Sequence, residues 1–207
     1  MANIGVSNAF YAKYKETPEG SGKYSYTGGR AFAKMTNVSH NPETNSAELF
    51  ADNGLEEADY SFSKGSFAVD VTNVEDGVAA DILGVATEEY EGDNTELVYT
   101  SEDKTVETGF GFIVQKKISG AVKHRAIVLT RLVFKIPATA VTTRQGTLTF
   151  QTEKLEGTTY ANRSDKHVWK RECTFATEAE AIAYIKNRLN ITDASAANVE
   201  PEATSEE

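Results

Sequence analysis

The sequence predicts a mainly β domain, a sandwich or barrel with one or two helices, at least one of them packed on the sheet. Three observations lead there. Apolar residues recur at every second position in many short runs. Turn signals separate roughly eight to ten such runs. One late stretch carries a full set of helix start and stop signals. With 207 residues, 40% of them hydrophobic and 25% charged, the chain can bury a core without a disulfide or metal staple.

The first strand signals fall near Val6–Tyr14, Tyr24–Met35, Ala47–Asp52 and Tyr60–Phe62. Between the last two, Asn53-Gly54 is the strongest turn signal, because both residues tolerate the positive φ of a two-residue hairpin. That turn would set Leu49 opposite Ala58 and Ala47 opposite Tyr60. It would also set Phe50 opposite Glu57 and Glu48 opposite Asp59, two like charges face to face. Phe67-Ala-Val-Asp-Val71 alternates most cleanly. A first helix is expected from about Val74 to Leu83, ending at Gly84 and weakened by Gly77. The acidic stretch Glu88–Asn94 lacks the ligand spacing of an EF-hand and reads as a solvated loop.

Gly109-Phe-Gly111 starts as a dinucleotide fingerprint would, but Val114 holds the third glycine position. It reads as a strand whose small residues let something pack closely. Ala121 to Ile136, rich in β-branched residues, reads as one long strand or two sharing a bend. Leu148 and Phe150 mark another strand, and Trp169, Cys173 and Phe175 share a face of a further one, with Arg171 between them. Thr177 and Glu180 then form a capping box, and Ile182, Ile185 and Leu189 form one apolar stripe that Asn190 can close. A helix with one apolar stripe must lie on something, here a sheet face. Residues 1–192 are expected as a single domain, and 193–207, made largely of Ala, Ser, Glu and Asn, as a disordered acidic tail.

The net charge of −10 is unevenly spread: +3 over residues 1–42, −16 over 43–107, +7 over 108–151, +1 over 152–192 and −5 over 193–207. Either the acidic and basic segments lie side by side and neutralise each other, or they form complementary faces through which copies bind one another. The excess of acid argues against a protein that grips nucleic-acid phosphates. The single Cys173 excludes an intramolecular disulfide framework and multi-cysteine metal sites. No apolar run approaches the ~20 residues of a membrane span, and the first residues show no signal-peptide pattern, so folding in a cytoplasm is expected. His40, His124 and His167 share no ligand-like spacing, and no turn or helix places a nucleophile beside a base. No enzyme activity, catalytic residue, cofactor or metal is therefore expected.

Several short segments, taken in order, carry a resemblance. They are Ile4-Gly-Val-Ser-Asn-Ala-Phe-Tyr-Ala12, Ala51-Asp-Asn-Gly54, Ile82-Leu-Gly84, Gly109-Phe-Gly-Phe112, and Phe134-Lys-Ile-Pro137 before a Thr-rich strand. Together they resemble the major tail protein family of long-tailed, non-contractile bacteriophages and prophages of Gram-positive bacteria, over roughly Asn3 to Asn190. The resemblance implies a β domain of the tail-tube type with a flanking helix and a long hairpin loop. It also implies self-assembly into hexameric rings that stack into a hollow tail tube delivering DNA, without specific DNA binding. Expected partners are other copies, a tape-measure protein and tail terminator or initiator proteins. The expected location is the virion tail, after assembly in the host cytoplasm. Charge then suggests a ring-stacking contact between an acidic hairpin (Glu48, Asp52, Asn53, Gly54, Glu56, Glu57 and Asp59) and a basic patch (Lys116, Lys117, Lys123 and Arg125). The alternative reading is a β-sandwich module binding carbohydrate or a surface, for which Tyr11, Tyr14, Tyr24 and Tyr26 would supply an exposed aromatic cluster.

Overall fold

A computed structural model describes residues 2–16, 18, 21–51, 54–92, 94–118, 120–139 and 152–192, and for 47–51 and 54–59 it describes the backbone. The expected strand at Leu148 and Phe150 and the expected tail 193–207 lie outside these residues. In chain order the described elements are β1 (Ala2–Glu16), β2 (Tyr24–Ala31), β3 (Met35–Ala51), β4 (Gly54–Val71), α1 (Asp76–Leu83), β5 (Ala86–Tyr90) and β6 (Asn94–Val98). They continue with β7 (Glu107–Ile118), β8 (Ala121–Phe134), β9 (Glu153–Tyr160), β10 (Lys170–Phe175) and α2 (Glu178–Arg188). The protein is mainly β with two helices, as the alternation predicts.

The main sheet is antiparallel in the order β2-β1-β7-β8-β9-β4-β3, with β10 also on β8, while β5 and β6 pair apart from it. The sheet forks along β8. Residues Arg131–Phe134 pair with β9, whereas His124–Leu129 pair with β10. At the fork, Thr130 donates its backbone N–H to Trp169 O (3.1 Å) and its hydroxyl to Val168 O (2.5 Å). The sheet also curls on itself. Ala31 pairs with Phe10 on β1, and four residues later Met35 pairs with Val71 on β4. Four residues reach at most about 14 Å, so the two sides of the sheet must come that close.

Phe32 fills the gap, lying edge-on to Phe110 at 5.1 Å and stacked on Phe134 at 5.9 Å. Inside the curl, Tyr11, Phe67, Val69, Phe110, Leu129 and Phe134 pack with Val78 and Ile82 of α1. The first helix starts at Asp76, two residues later than expected, and ends on Gly84 at φ 75°, a left-handed cap that glycine adopts without penalty.

The outer face of β1, β7 and β8 carries α2. Thr177 and Glu180 form the capping box in full. At the other end Ile191 N–H bonds to Lys186 O and Asn190 N–H to Asn187 O, with Asn190 at φ 52°, a Schellman closure in which asparagine takes the glycine place. Ala181, Ile185 and Leu189 pack on Phe10, Ile113, Ala126 and Val128. Ile185 and Leu189 are wholly buried, worth roughly 1.5–3 kcal/mol each. The close approach requires the two glycines. A Cβ at Gly111 would sit 2.5 Å from Ile185 Cγ2, and one at Gly109 2.7 Å from Leu189 Cδ2.

Three expectations are corrected. The acidic stretch Glu88–Asn94 is not a loop: most of it forms the β5–β6 hairpin, in which Glu88 faces Glu96. The strands expected separately at Ala47–Asp52, Tyr60–Phe62 and Phe67–Val71 fall, over their described residues, within one long hairpin, β3 with β4. Its register also differs from that of a turn centred on Asn53-Gly54, because Gly54 already pairs with Ala51. Glu48 then faces Ala58, Glu57 faces Leu49 and Asp59 faces Ala47, with a register shift between Leu49 and Phe50. A one-residue shift re-pairs every position, and here it separates the two carboxylates that would have opposed each other.

Candidate assembly surfaces

β9 covers β4 only from Gly65 to Val71, and beyond that point the β3–β4 hairpin pairs with no other described strand. From the Thr44–Phe62 pair to the Ala51–Gly54 pair the ribbon extends roughly 24 Å at the usual strand rise. Side chains 41–46, 60, 61, 63 and 64 are exposed, Tyr60 at 61%. The root is held by aromatic contacts. Phe62 stacks on Trp169 with ring centres 4.3 Å apart and planes 7° apart, and the His40 ring centre lies 5.8 Å from that of Trp169. Thr159 donates its hydroxyl to Gly65 O, so His40 Nε2, 2.8 Å from Thr159 Oγ1, is the donor in that contact. Burial, reinforced by the Lys170 charge, lowers the His40 pKa below its ordinary value.

Of the acidic set, Glu48, Gly54, Glu56, Glu57 and Asp59 have their backbone in this ribbon, while Asp52 and Asn53 lie outside the described residues. The basic set sits at the end of the β7–β8 hairpin. Lys116 is directly opposite Lys123, Lys117 opposite Val122, and Arg125 opposite Val114. Strand alternation therefore places Lys116, Lys123 and Arg125 on one face and Lys117 on the other. Arg125 is partly engaged within the chain, 3.3 Å from Glu172. Burial alone would raise the Glu172 carboxyl, but the Lys170 hydrogen bond and the charges of Lys170, Arg125 and Lys116 hold it below its ordinary pKa. β4 and β8 are each antiparallel to β9 and so run in the same sense, which puts the ribbon tip and the basic end toward the same end of the sheet.

The tyrosines form no exposed platform. Tyr11, Tyr14 and Tyr26 are buried, and half-buried Tyr24 stacks on Tyr14 at 5.2 Å. Cys173 is half-buried on β10 opposite Ala126. Among the described residues no three of His, Cys, Asp and Glu converge as metal ligands would.

Two ion clusters carry no sequence signal, because their members are far apart in the chain. Asp81 of α1 receives Lys13 Nζ at 2.6 Å, Arg30 Nη2 at 2.5 Å and the Tyr11 hydroxyl at 2.9 Å. Glu107 takes both Arg131, at 2.7 Å, and Arg163, at 3.0 Å, and Arg163 also reaches Glu16. Compared with models of known protein families and with curated proteins, the chain matches none.

Proposed function

We propose that the chain is a structural subunit of a phage-type tail tube, which binds copies of itself into rings that stack as a hollow conduit for DNA. The observation that carries this reading is the β3–β4 ribbon. An isolated two-stranded hairpin is at best marginally stable in water, and beyond Gly65 both edges of this one are without a described partner strand. A neighbouring copy is the natural source of the missing contact. The like-charged pair Lys116–Lys123 adds weight, since such opposition is unfavourable in a lone subunit, where Glu172 and Glu180 offset it only in part, and a neighbour's carboxylate would relieve it further. The ribbon tip and the basic end lie toward the same end of the sheet, which does not favour the expected ring-stacking contact between them, so the copy proposed to receive the tip is instead one beside the subunit. The net charge of −10 suits a channel wall past which DNA slides without adhering. On this reading the chain's place is the virion tail and it has no enzymatic role; a tape-measure protein and terminator or initiator proteins are its further partners.

Negative-stain electron microscopy with light scattering, at high and low protein concentration, tests the proposal. Rings or hollow tubes are expected, and the double variant Glu56→Lys/Glu57→Lys is expected to lose them while remaining folded. A compact closed dimer that never extends would overturn the tube reading. Normal tubes from the double variant would overturn the assignment of the ribbon tip.

A further inference from the structure

Six of the seven arginines lie among the described residues, and four of those six are held by carboxylates: Arg30 by Asp81, Arg125 by Glu172, Arg131 by Glu107, and Arg163 by Glu16 and Glu107. The other two, Arg171 and Arg188, have no carboxylate partner among the described residues, and both line the same cleft. In a chain with 31 acidic and 21 basic residues, two arginines at one cavity with no carboxylate partner among the described residues call for an anion.

The cleft, about 290 Å³, lies between β2, β8, β10 and the end of α2, with Tyr24, Ser25, Asn187 and Asn190 also at its walls. Arg171 reaches it from β10, opposite Val128, and is half-buried, so its charge is less screened than a surface lysine's. Its guanidinium is near Tyr26: burial raises that phenol's pKa, and the Arg171 charge pulls the other way. Arg188 lies over the Tyr184 ring, 5.3 Å from its centre, and makes no ion pair with a carboxylate among the described residues. The volume is below that of most drug-sized ligand pockets and suits one or two carboxylate side chains.

We propose that this cleft binds carboxylates of a peptide segment, and that the segment is residues 193–207 of the same chain. That segment carries Asp193, Glu200, Glu202, Glu206 and Glu207 and no cation. Asn190 is at the cleft wall and Ile191 is anchored in the core beneath α2, so the described chain ends beside the cleft from which this segment continues. A planar fork meeting a carboxylate gives a charge-assisted, often bidentate bond. The cleft is complete in a single chain, so the site is tested apart from tube assembly.

The test reads the Nε–Hε resonances of Arg171 and Arg188 by NMR in the full-length chain and in a variant with Asp193→Asn and Glu200, Glu202, Glu206 and Glu207→Gln. Both resonances are expected to move on neutralisation while that of Arg125 stays. A synthetic peptide of wild-type 193–207 is expected to restore them in the neutralised variant, saturably and less well as salt rises. Arg171→Gln is expected to weaken that peptide about tenfold or more, and Arg188→Gln, on an exposed helix position, to weaken it in the same direction. Unchanged resonances on neutralisation would overturn the proposal. So would a neutralised variant that answers to acetate or inorganic phosphate but not to the peptide, since the cleft would then be a small-anion site. A shift that depends on protein concentration would place the carboxylates on another copy and overturn the assignment to the same chain.

Discussion

Asp81 ties three elements together, because Lys13 comes from β1, Arg30 from β2 and the aspartate itself from α1. Arg30 also donates to the Tyr11 hydroxyl at 2.6 Å and to Gly77 O at 2.7 Å, so one guanidinium holds both the strand and the helix. Burial alone would raise the Asp81 carboxyl, but the hydrogen bonds of Lys13 and Tyr11 and the charges of Lys13 and Arg30 hold it below its ordinary pKa. Its contribution is therefore complete above the unfolded value of about 3.9 and is lost as pH falls through the folded value. Asp81→Asn leaves two cations without their partner and should lower stability at neutral pH by about 1–2 kcal/mol, since the groups are only partly buried. The deficit against wild type should shrink as acid is added below about pH 4. His40 works in a separate window. Its lowered pKa means the unfolded chain takes up the proton first, so stability falls as pH drops below about 6.5 and levels off beneath the folded pKa. His40→Gln should flatten that part of the profile and leave the acid limb unchanged. Urea midpoints measured from pH 8 to 3 would separate the two, and a wild-type profile flat between pH 7 and 5 would refute the His40 assignment.

The late helix was legible in the sequence because its signals are local: a capping hydroxyl, a carboxylate three residues on, and a stripe with helical spacing. The seat it packs on was legible in part, through Gly109 and Gly111. Gly111→Ala should lower the thermal midpoint, because the new methyl meets Ile185 Cγ2 at 2.5 Å and either strand or helix must shift. Overpacking of this kind destabilises by about 1–3 kcal/mol, with a melting shift of several degrees by calorimetry. The long hairpin was not legible over its whole length. Ser39-His-Asn-Pro-Glu-Thr-Asn-Ser46 has no apolar alternation, since much of the ribbon faces solvent on both sides and Pro42 weakens any strand reading. β9 was missed for the opposite reason. Its inward positions are Leu155, Gly157 and Thr159, so burial alternates where hydropathy does not. At the ribbon's root Phe62→Ala removes the face that Trp169 stacks on. As Trp169 is the only tryptophan, its emission should shift, and amide exchange over 44–62 should quicken with little change in the global midpoint. An unchanged exchange pattern would mean that the stack does not hold the ribbon.

At the scale of the molecule, alternation could predict strands but not their closure, because the curl depends on Ala31 and Met35 pairing with opposite sides of the sheet within five residues. Charge was similarly half legible. The −16 and +7 segments are visible in the sequence, but the sequence does not say that the ribbon tip and the basic end share one end of the sheet. That placement makes fold and assembly separable by experiment. Lys123 faces Lys116 across the strands, and such opposition costs a lone subunit a few tenths of a kcal/mol, roughly. Lys123 also lies where its charge helps hold Glu180 below its ordinary pKa, after the larger effect of the Thr177 hydrogen bonds. Replacing Lys123 with glutamine removes the repulsion and this weak attraction together. The melting midpoint of the unassembled chain should accordingly stay within about 2 °C of wild type. If a neighbour's carboxylates dock on this end, the same substitution should raise the concentration needed for tube growth and reduce its sensitivity to salt, because one screened attraction is gone. Light scattering against protein concentration at two ionic strengths reads both effects. A variant that melts like wild type and polymerises like wild type would remove Lys123 from the contact. One that melts early would show that the lysine serves the fold instead.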